Sequence, residues 1–164
     1  MIISIRKKIL DKITLVAVVS TLLPLFSNAV YTYYSTKSEY YNNLQKESEI
    51  TAKQLSLSIV TPLWSMDDSA VINLMISRFL HEEIYCVHVI NPNDSSIMYG
   101  VERDSAWNPV IRKTVMKNGY TIASAPVEND GVVQGIVKVY MTDNLVKKRM
   151  SILLRQIIVS TIIL

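Results

Sequence analysis

Tyr85-Cys86-Val87-His88-Val89-Ile90, then Asn91-Pro92-Asn93-Asp94-Ser95-Ser96, then Ile97-Met98-Tyr99 is the stretch that decides the architecture. A short β-rich run, a dense cluster of turn formers and a second apolar run predict an antiparallel hairpin. Downstream, Tyr120 to Val127 and Val132 to Met141 flank Asp130-Gly131, the dipeptide of a tight two-residue turn, so a second hairpin is expected there. Between the hairpins, Val110, Ile111, Thr114 and Val115 stand at helical spacing within Asn108 to Met116. That spacing predicts a short helix ending at Asn118-Gly119. Asp143 is placed to cap a last helix.

Upstream of the first hairpin the period is helical. Ser38 to Ile59 lacks Gly and Pro, and Leu44, Thr51, Leu55 and Ile59 make a thin apolar stripe. Two readings of the stripe stand side by side: it packs on a partner helix, or it rests on its own domain. Thr61-Pro62-Leu63-Trp64 interrupts this helix. Asp67 is a good N-cap for the next one, and Asp68 adds negative charge at the positive end of its dipole. Val71, Ile72, Met75 and Phe79 form its expected buried face, and His81 suits its C-terminal end. Trp64 and Asp67 are both expected to be structural.

Working further outward, both ends of the sequence are apolar. Ile13 to Tyr34 is a run of 22 residues without Asp, Glu, Lys or Arg. As a helix it is about 33 Å long, enough for a hydrocarbon core of about 30 Å. Ten of its residues are Ile, Leu, Val or Phe, which favours insertion by roughly 3–6 kcal/mol before Pro24 and Asn28 take their share. Arg6, Lys7, Lys8 and Lys12 against Asp11 leave the first twelve residues at +3, the whole formal excess of the chain, since residues 35–156 are neutral. The positive-inside rule then keeps the N-terminus in the cytoplasm and exports residue 35 onward. Tyr31, Tyr33, Tyr34, Tyr40 and Tyr41 fall near the outer interface. A cleaved signal peptide is the rival reading, with Ser27-Asn28-Ala29 as its small-residue cleavage pattern. At the other end, the eight residues Ile157 to Leu164 cover only about 12 Å as helix. They are expected to be the start of a second membrane helix cut off part-way. Lys147, Lys148, Arg149 and Arg155 beside them run mildly against the positive-inside rule.

The expected organisation is therefore a cytoplasmic basic segment (1–12), a first membrane helix (13–34), an extracytoplasmic domain (35–150) and the start of a second membrane helix (151–164). The fold class is α+β: helices over one antiparallel sheet, with a long N-terminal helix, between two membrane segments.

Several of these residues resemble extracytoplasmic sensors of the CHASE/Cache type. They are Leu63-Trp64-Ser65-Met66-Asp67 with the helix after it, Ile84 to Ile90, Asn91 to Ser96, Ala125-Pro126-Val127 and Gly131 to Tyr140. The similarity covers roughly residues 38–150. It implies a PAS-like sheet with one further strand, held between two membrane helices of a bacterial receptor in the inner membrane, with the sensor on the periplasmic side. It also implies a homodimer whose N-terminal helices pair, and signals that travel along the membrane helices. The output domain lies beyond Leu164: a histidine kinase first, then a diguanylate cyclase or a chemoreceptor. A membrane-anchored scaffold without signalling and a secreted enzyme are the alternatives from other classes. The resemblance names no particular ligand, so a small molecule and a periplasmic protein are both open as partners.

Catalytic and cofactor motifs are missing from the sequence. The four glycines, at 100, 119, 131 and 135, form neither a Walker A nor a dinucleotide pattern. His81-Glu82-Glu83-Ile84-Tyr85 begins like a zinc-protease motif, but Tyr85 stands where the second His belongs. No nucleophile elbow is present. No basic stripe with interleaved aromatics calls for nucleic acid. No cofactor, metal or enzymatic activity is expected of this region. Cys86 has no second cysteine to pair with, and burial among apolar neighbours is its expected state. Asn93-Asp94-Ser95 is a sequon best read as a turn. The candidate ligand-binding residues are His88, Tyr99, Arg103, Trp107 and Lys138. His88 shares a strand face with Cys86 and Ile90, and Arg103 would suit a carboxylate through two parallel bonds. Lys138 lies opposite the Val137/Val139 face. Their plainer assignments are a hydrogen-bonded sheet histidine and solvated basic side chains.

Overall fold

The computed structural model describes residues 2–115 and 120–163. In chain order it contains α1 (Ile2–Ser58), α2 (Val60–Trp64), α3 (Asp68–Ser77), a 3-10 turn (Arg78–Leu80), β1 (Ile84–Ile90), β2 (Ile97–Arg103), β3 (Pro109–Ile111), β4 (Thr121–Asn129), β5 (Val132–Met141) and α4 (Asn144–Ile163). Two compact units result: Met1–Glu39 with Lys148–Leu164, and Tyr40–Lys147.

In the first unit, α1 is long and apolar enough to cross a membrane. Its apolar window has a mean hydropathy of 1.9, and none of that window is buried. Ile13, Leu15 and Phe26 are all largely exposed, a state that costs free energy in water and none in lipid. Pro24 sits inside this helix and cannot donate to the preceding turn. One turn earlier, the hydroxyls of Ser20 and Thr21 donate back to the Ala17 carbonyl at 2.9 and 3.0 Å, the kind of bond that lets polar side chains sit in an apolar helix.

The second unit is built on a five-stranded sheet of order β3-β2-β1-β5-β4, with every pairing antiparallel. Odd-numbered residues of the central strands, Val87 and Val89 on β1, Val101 on β2, Val137 and Val139 on β5, face the helices and are fully buried. Leu55 of α1, Ile59 at the α1–α2 joint, Leu63 of α2, and Val71, Met75 and Phe79 supply the other half of this core. Ile72 is only half-buried. The stripe on α1 is settled by this packing. Leu44, Thr51, Leu55 and Ile59 are all buried on their own domain, so they are not free to meet a partner helix. What α1 and α2 expose is a different line at heptad spacing, Ile50, Leu57 and Trp64. Trp64, expected to be structural, is 67% exposed.

The turn chemistry acts as read. The Asp67 side chain accepts from the Ala70 amide at 3.0 Å and caps α3. Asp130 and Gly131 both take positive φ, 50° and 79°, in the two-residue turn where Asn129 pairs with Val132. Asp143 stands just before α4, its carbonyl accepting from the Lys147 amide at 2.8 Å. β4, at the sheet edge, carries Pro126, which blunts further pairing.

One expectation is corrected. The helix predicted from Asn108 is the edge strand β3, pairing Val101 with Ile111, Glu102 with Val110 and Arg103 with Pro109. The Asp104 carboxylate accepts from the amides of Ala106 and Asn108, both at 2.9 Å, and Trp107 adopts φ 68°. This closes a loop that sends Pro109 back along β2, and a four-residue i, i+1, i+4, i+5 pattern could not distinguish the two. Met116 and the Asn118-Gly119 stop lie outside the described residues.

Candidate functional site

The even-numbered residues of β1, β2 and β5 point away from the helices, and here the sheet is polar as well as buried. Cys86, His88 and Ile90 project from β1. Across from them stand Gly100 and Glu102 on β2, and Ile136, Lys138 and Tyr140 on β5. His88 is 1% exposed and Glu102 4%. The centre of this face is covered by the segment after β3: the Arg112 amide donates to the Gly100 carbonyl at 3.0 Å. A Cβ on residue 100 would run into the Arg112 carbonyl oxygen, so the approach requires glycine.

Within this pocket, Cys86 Sγ and His88 Nε2 make a 3.1 Å contact in which the tautomer decides the donor. The His88 ring meets Tyr140 edge-on, with centroids 5.3 Å apart. Glu102 accepts from Arg112 Nη1 at 2.9 Å and from the Thr114 hydroxyl at 3.3 Å. Tyr85 and Tyr120 stack at 4.9 Å at one end.

Burial dominates the electrostatics. It pushes the Cys86 thiol up, helped by the charge on Glu102, so the sulfur stays protonated and is no nucleophile. It pushes the His88 imidazole down; Glu102 opposes this and Lys138 adds to it. Burial likewise raises the Tyr140 phenol, with Cys86 contributing. Burial thus favours the neutral forms of Cys86, His88 and Tyr140 beside one carboxylate that is paired with Arg112. Such a set can bind and respond to charge, and it lacks an activated nucleophile. Among the described residues, no three His, Cys, Asp or Glu side chains come together as a metal site.

The five candidates from the sequence separate into three places. His88 and Lys138 are direct cross-strand neighbours on the polar face. Tyr99 lies on the helix side, where its hydroxyl donates to Asp68 Oδ1; that bond, with some burial, raises its pKa to about 12. Arg103 and Trp107 sit together at the end of β2, where Arg103 is committed to the fold. Its Nε donates to the Ile84 carbonyl at 2.7 Å, Nη1 to Trp107 at 2.6 Å, and Nη2 to Phe79 at 2.8 Å and His81 at 3.1 Å. Its guanidinium also lies over the Phe79 and Trp107 rings, at 5.3 and 5.1 Å. Four of its five donors are taken, leaving no pair for a ligand carboxylate. Glu102, Arg112 and Thr114 belong to the polar face and are absent from the sequence candidates. A single acid within Ile97–Arg103 was a signal for the first of them; the helical reading of 108–116 hid the others.

A second feature of this unit is the junction where its two outer helices meet. The Tyr41 hydroxyl on α1 donates to Asp143 Oδ2 at 3.0 Å, and Lys147 of α4 bridges Asp143 Oδ1 at 2.8 Å. Burial, which would raise the Asp143 pKa, is outweighed by these two hydrogen bonds, and the carboxyl is held below its ordinary value. Two shallow grooves flank α1, one against β4 and the other against the turn at His81. One is of about 430 Å³ beside Lys53, Leu57 and Pro126, and the other is of about 520 Å³ beside Glu47, Ile50 and His81.

Fold and site together define an α+β domain with a buried ionisable sheet face, carried on a helix able to cross a membrane. No protein-family model matches the chain, and no curated protein matches it.

Proposed function

We propose that this chain is the extracytoplasmic input module of a bacterial inner-membrane receptor of the CHASE/Cache type. In this reading it is a periplasmic, PAS-like sensor between two membrane helices, whose cytoplasmic output domain, first a histidine kinase and next a diguanylate cyclase, comes after the second helix. The observation that carries the reading is the Tyr41–Asp143–Lys147 junction. The helix that arrives from the apolar segment and the helix that leaves the sheet are bonded at one point, so a change in the sheet reaches both. The unburied apolar window of α1 supports the membrane anchor. The polar face around His88 supplies a place where a signal is received. The module works as a homodimer, for which the exposed Ile50, Leu57 and Trp64 line beside the two grooves offers a helix surface.

The test is a chimera of residues 1–155 joined to the second membrane helix and kinase core of a sensor kinase. Asp143→Asn and Tyr41→Phe should each change basal autophosphorylation severalfold, while Asn93→Gln, exposed in the turn between β1 and β2, leaves it unchanged. Equal output from all three would favour a scaffold that does not signal.

A further inference from the structure

His88 is unusual for the company it keeps at almost zero exposure. Cys86 faces it on its own strand, Glu102 from β2, and Lys138 and Tyr140 from β5, while Arg112 crosses above it after β3. β4 places Ser124 across from Lys138 and the exposed Glu128 farther along its edge, and Tyr120, just before β4, stacks on Tyr85 at the end of the face. Beside the backbone bond from Arg112 to Gly100, one carboxylate, Glu102, takes both side-chain bonds that hold the covering segment. Arg112 and Thr114 both bond to its Oε1. The imidazole therefore has one anion within its pocket, and that anion already anchors the cover.

We propose that this face is a proton-responsive switch: when His88 takes a proton from solvent, the imidazolium draws on Glu102 in competition with Arg112 and Thr114, and residues 112–114 loosen from the sheet. The proposal deepens the sensory reading by naming the proton as the signal, and rests on that reading only for the response of the output domain. The direction is set by the pocket. Burial disfavours the charged ring, so the neutral form is favoured in the fold and the unfolded chain binds the proton more readily. The closed arrangement is thus fully stable above the ordinary histidine value of about 6.5 and weakens as pH falls below it. β5, which carries Lys138 and Tyr140, runs into Asp143 and α4, so the same event bears on the helix junction.

The chain has two histidines, His81 and His88, so the His81→Asn variant of residues 1–164 in detergent micelles leaves one imidazole for ¹³C NMR. A pH titration should show the His88 resonance moving below pH about 6.5, with the Arg112 and Thr114 amide signals changing at the same midpoint. Glu102→Gln should lower that midpoint and Lys138→Met should raise it. Should Glu102→Gln fail to fold, Lys138→Met alone carries the test. The proposal is overturned if the 112–114 signals stay fixed while His88 titrates, if Lys138→Met leaves the midpoint unmoved, or if His88 takes its proton only when the circular dichroism of the sheet is lost. None of these results bears on membrane topology, so the sensory reading stands or falls separately.

Discussion

Replacing Arg103 by Lys separates a structural role from a ligand-binding one. The guanidinium reaches four backbone carbonyls, at Ile84, Trp107, Phe79 and His81, from a side chain that is 6% exposed. An ammonium has three donors on one atom and can satisfy at most two carbonyls so far apart. Two charge-assisted bonds are lost, each contributing about 1.5–3 kcal/mol. The bonds to His81 and Trp107 are only part-buried, so water recovers some of this. The expected loss is roughly 2–4 kcal/mol of unfolding free energy. Urea denaturation of the full chain in maltoside micelles, followed by circular dichroism, measures it. Arg103→Met should cost more, because all four carbonyls then lose their donor. A loss under about 0.5 kcal/mol for Arg103→Lys would refute this reasoning and return Arg103 to the ligand-binding candidates.

Gly100→Ala puts a methyl group against the Arg112 carbonyl, with the His88 ring 3.2 Å away; overpacking of this kind costs about 1–3 kcal/mol, read as a lowered Tm. Asp67→Ala removes the acceptor for the Ala70 amide and should cost about 1 kcal/mol, while Asp67→Asn costs far less; the same denaturation assay compares them. The Asp143 carboxyl, held below its ordinary value, contributes stability above the unfolded carboxylate range that disappears as pH falls through it. The stability difference between the native chain and Asp143→Asn should therefore be constant above pH about 5 and shrink below it.

Both hairpins were legible in the sequence because their signals are local. Asn91 to Ser96 and Asp130-Gly131 fix turn geometry within a few residues, and the apolar runs around them can only be strands. The long first helix was legible for the same reason. β3 was not, since Pro109-Val110-Ile111 is too short for its period to be measured and its fate is set by the Asp104 carboxylate folding the chain back. In the site, strand parity placed His88 beside Cys86 and set Lys138 against the Val137/Val139 face. The pairing of His88 with Lys138 needed the β1–β5 register, which joins residues fifty positions apart. Arg103 misled because its partners are backbone carbonyls, which leave no mark in side-chain sequence. Leu44, Thr51, Leu55 and Ile59 left two readings open because a stripe on a helix does not say which neighbour covers it.

Where the sheet unit lies relative to the bilayer decides whether it can receive a signal from outside the cell. Single cysteines at exposed positions, Ser69 and Asn93, in a Cys86→Ala background and labelled in intact cells with a membrane-impermeant maleimide, measure this directly. An exported sheet unit gives labelling of both without lysis once the outer membrane is permeabilised, and no labelling of a cysteine at Ser4 until the inner membrane is opened. Labelling of Ser4 alone in unopened cells, or of Ser69 and Asn93 only after opening the inner membrane, would contradict that placement.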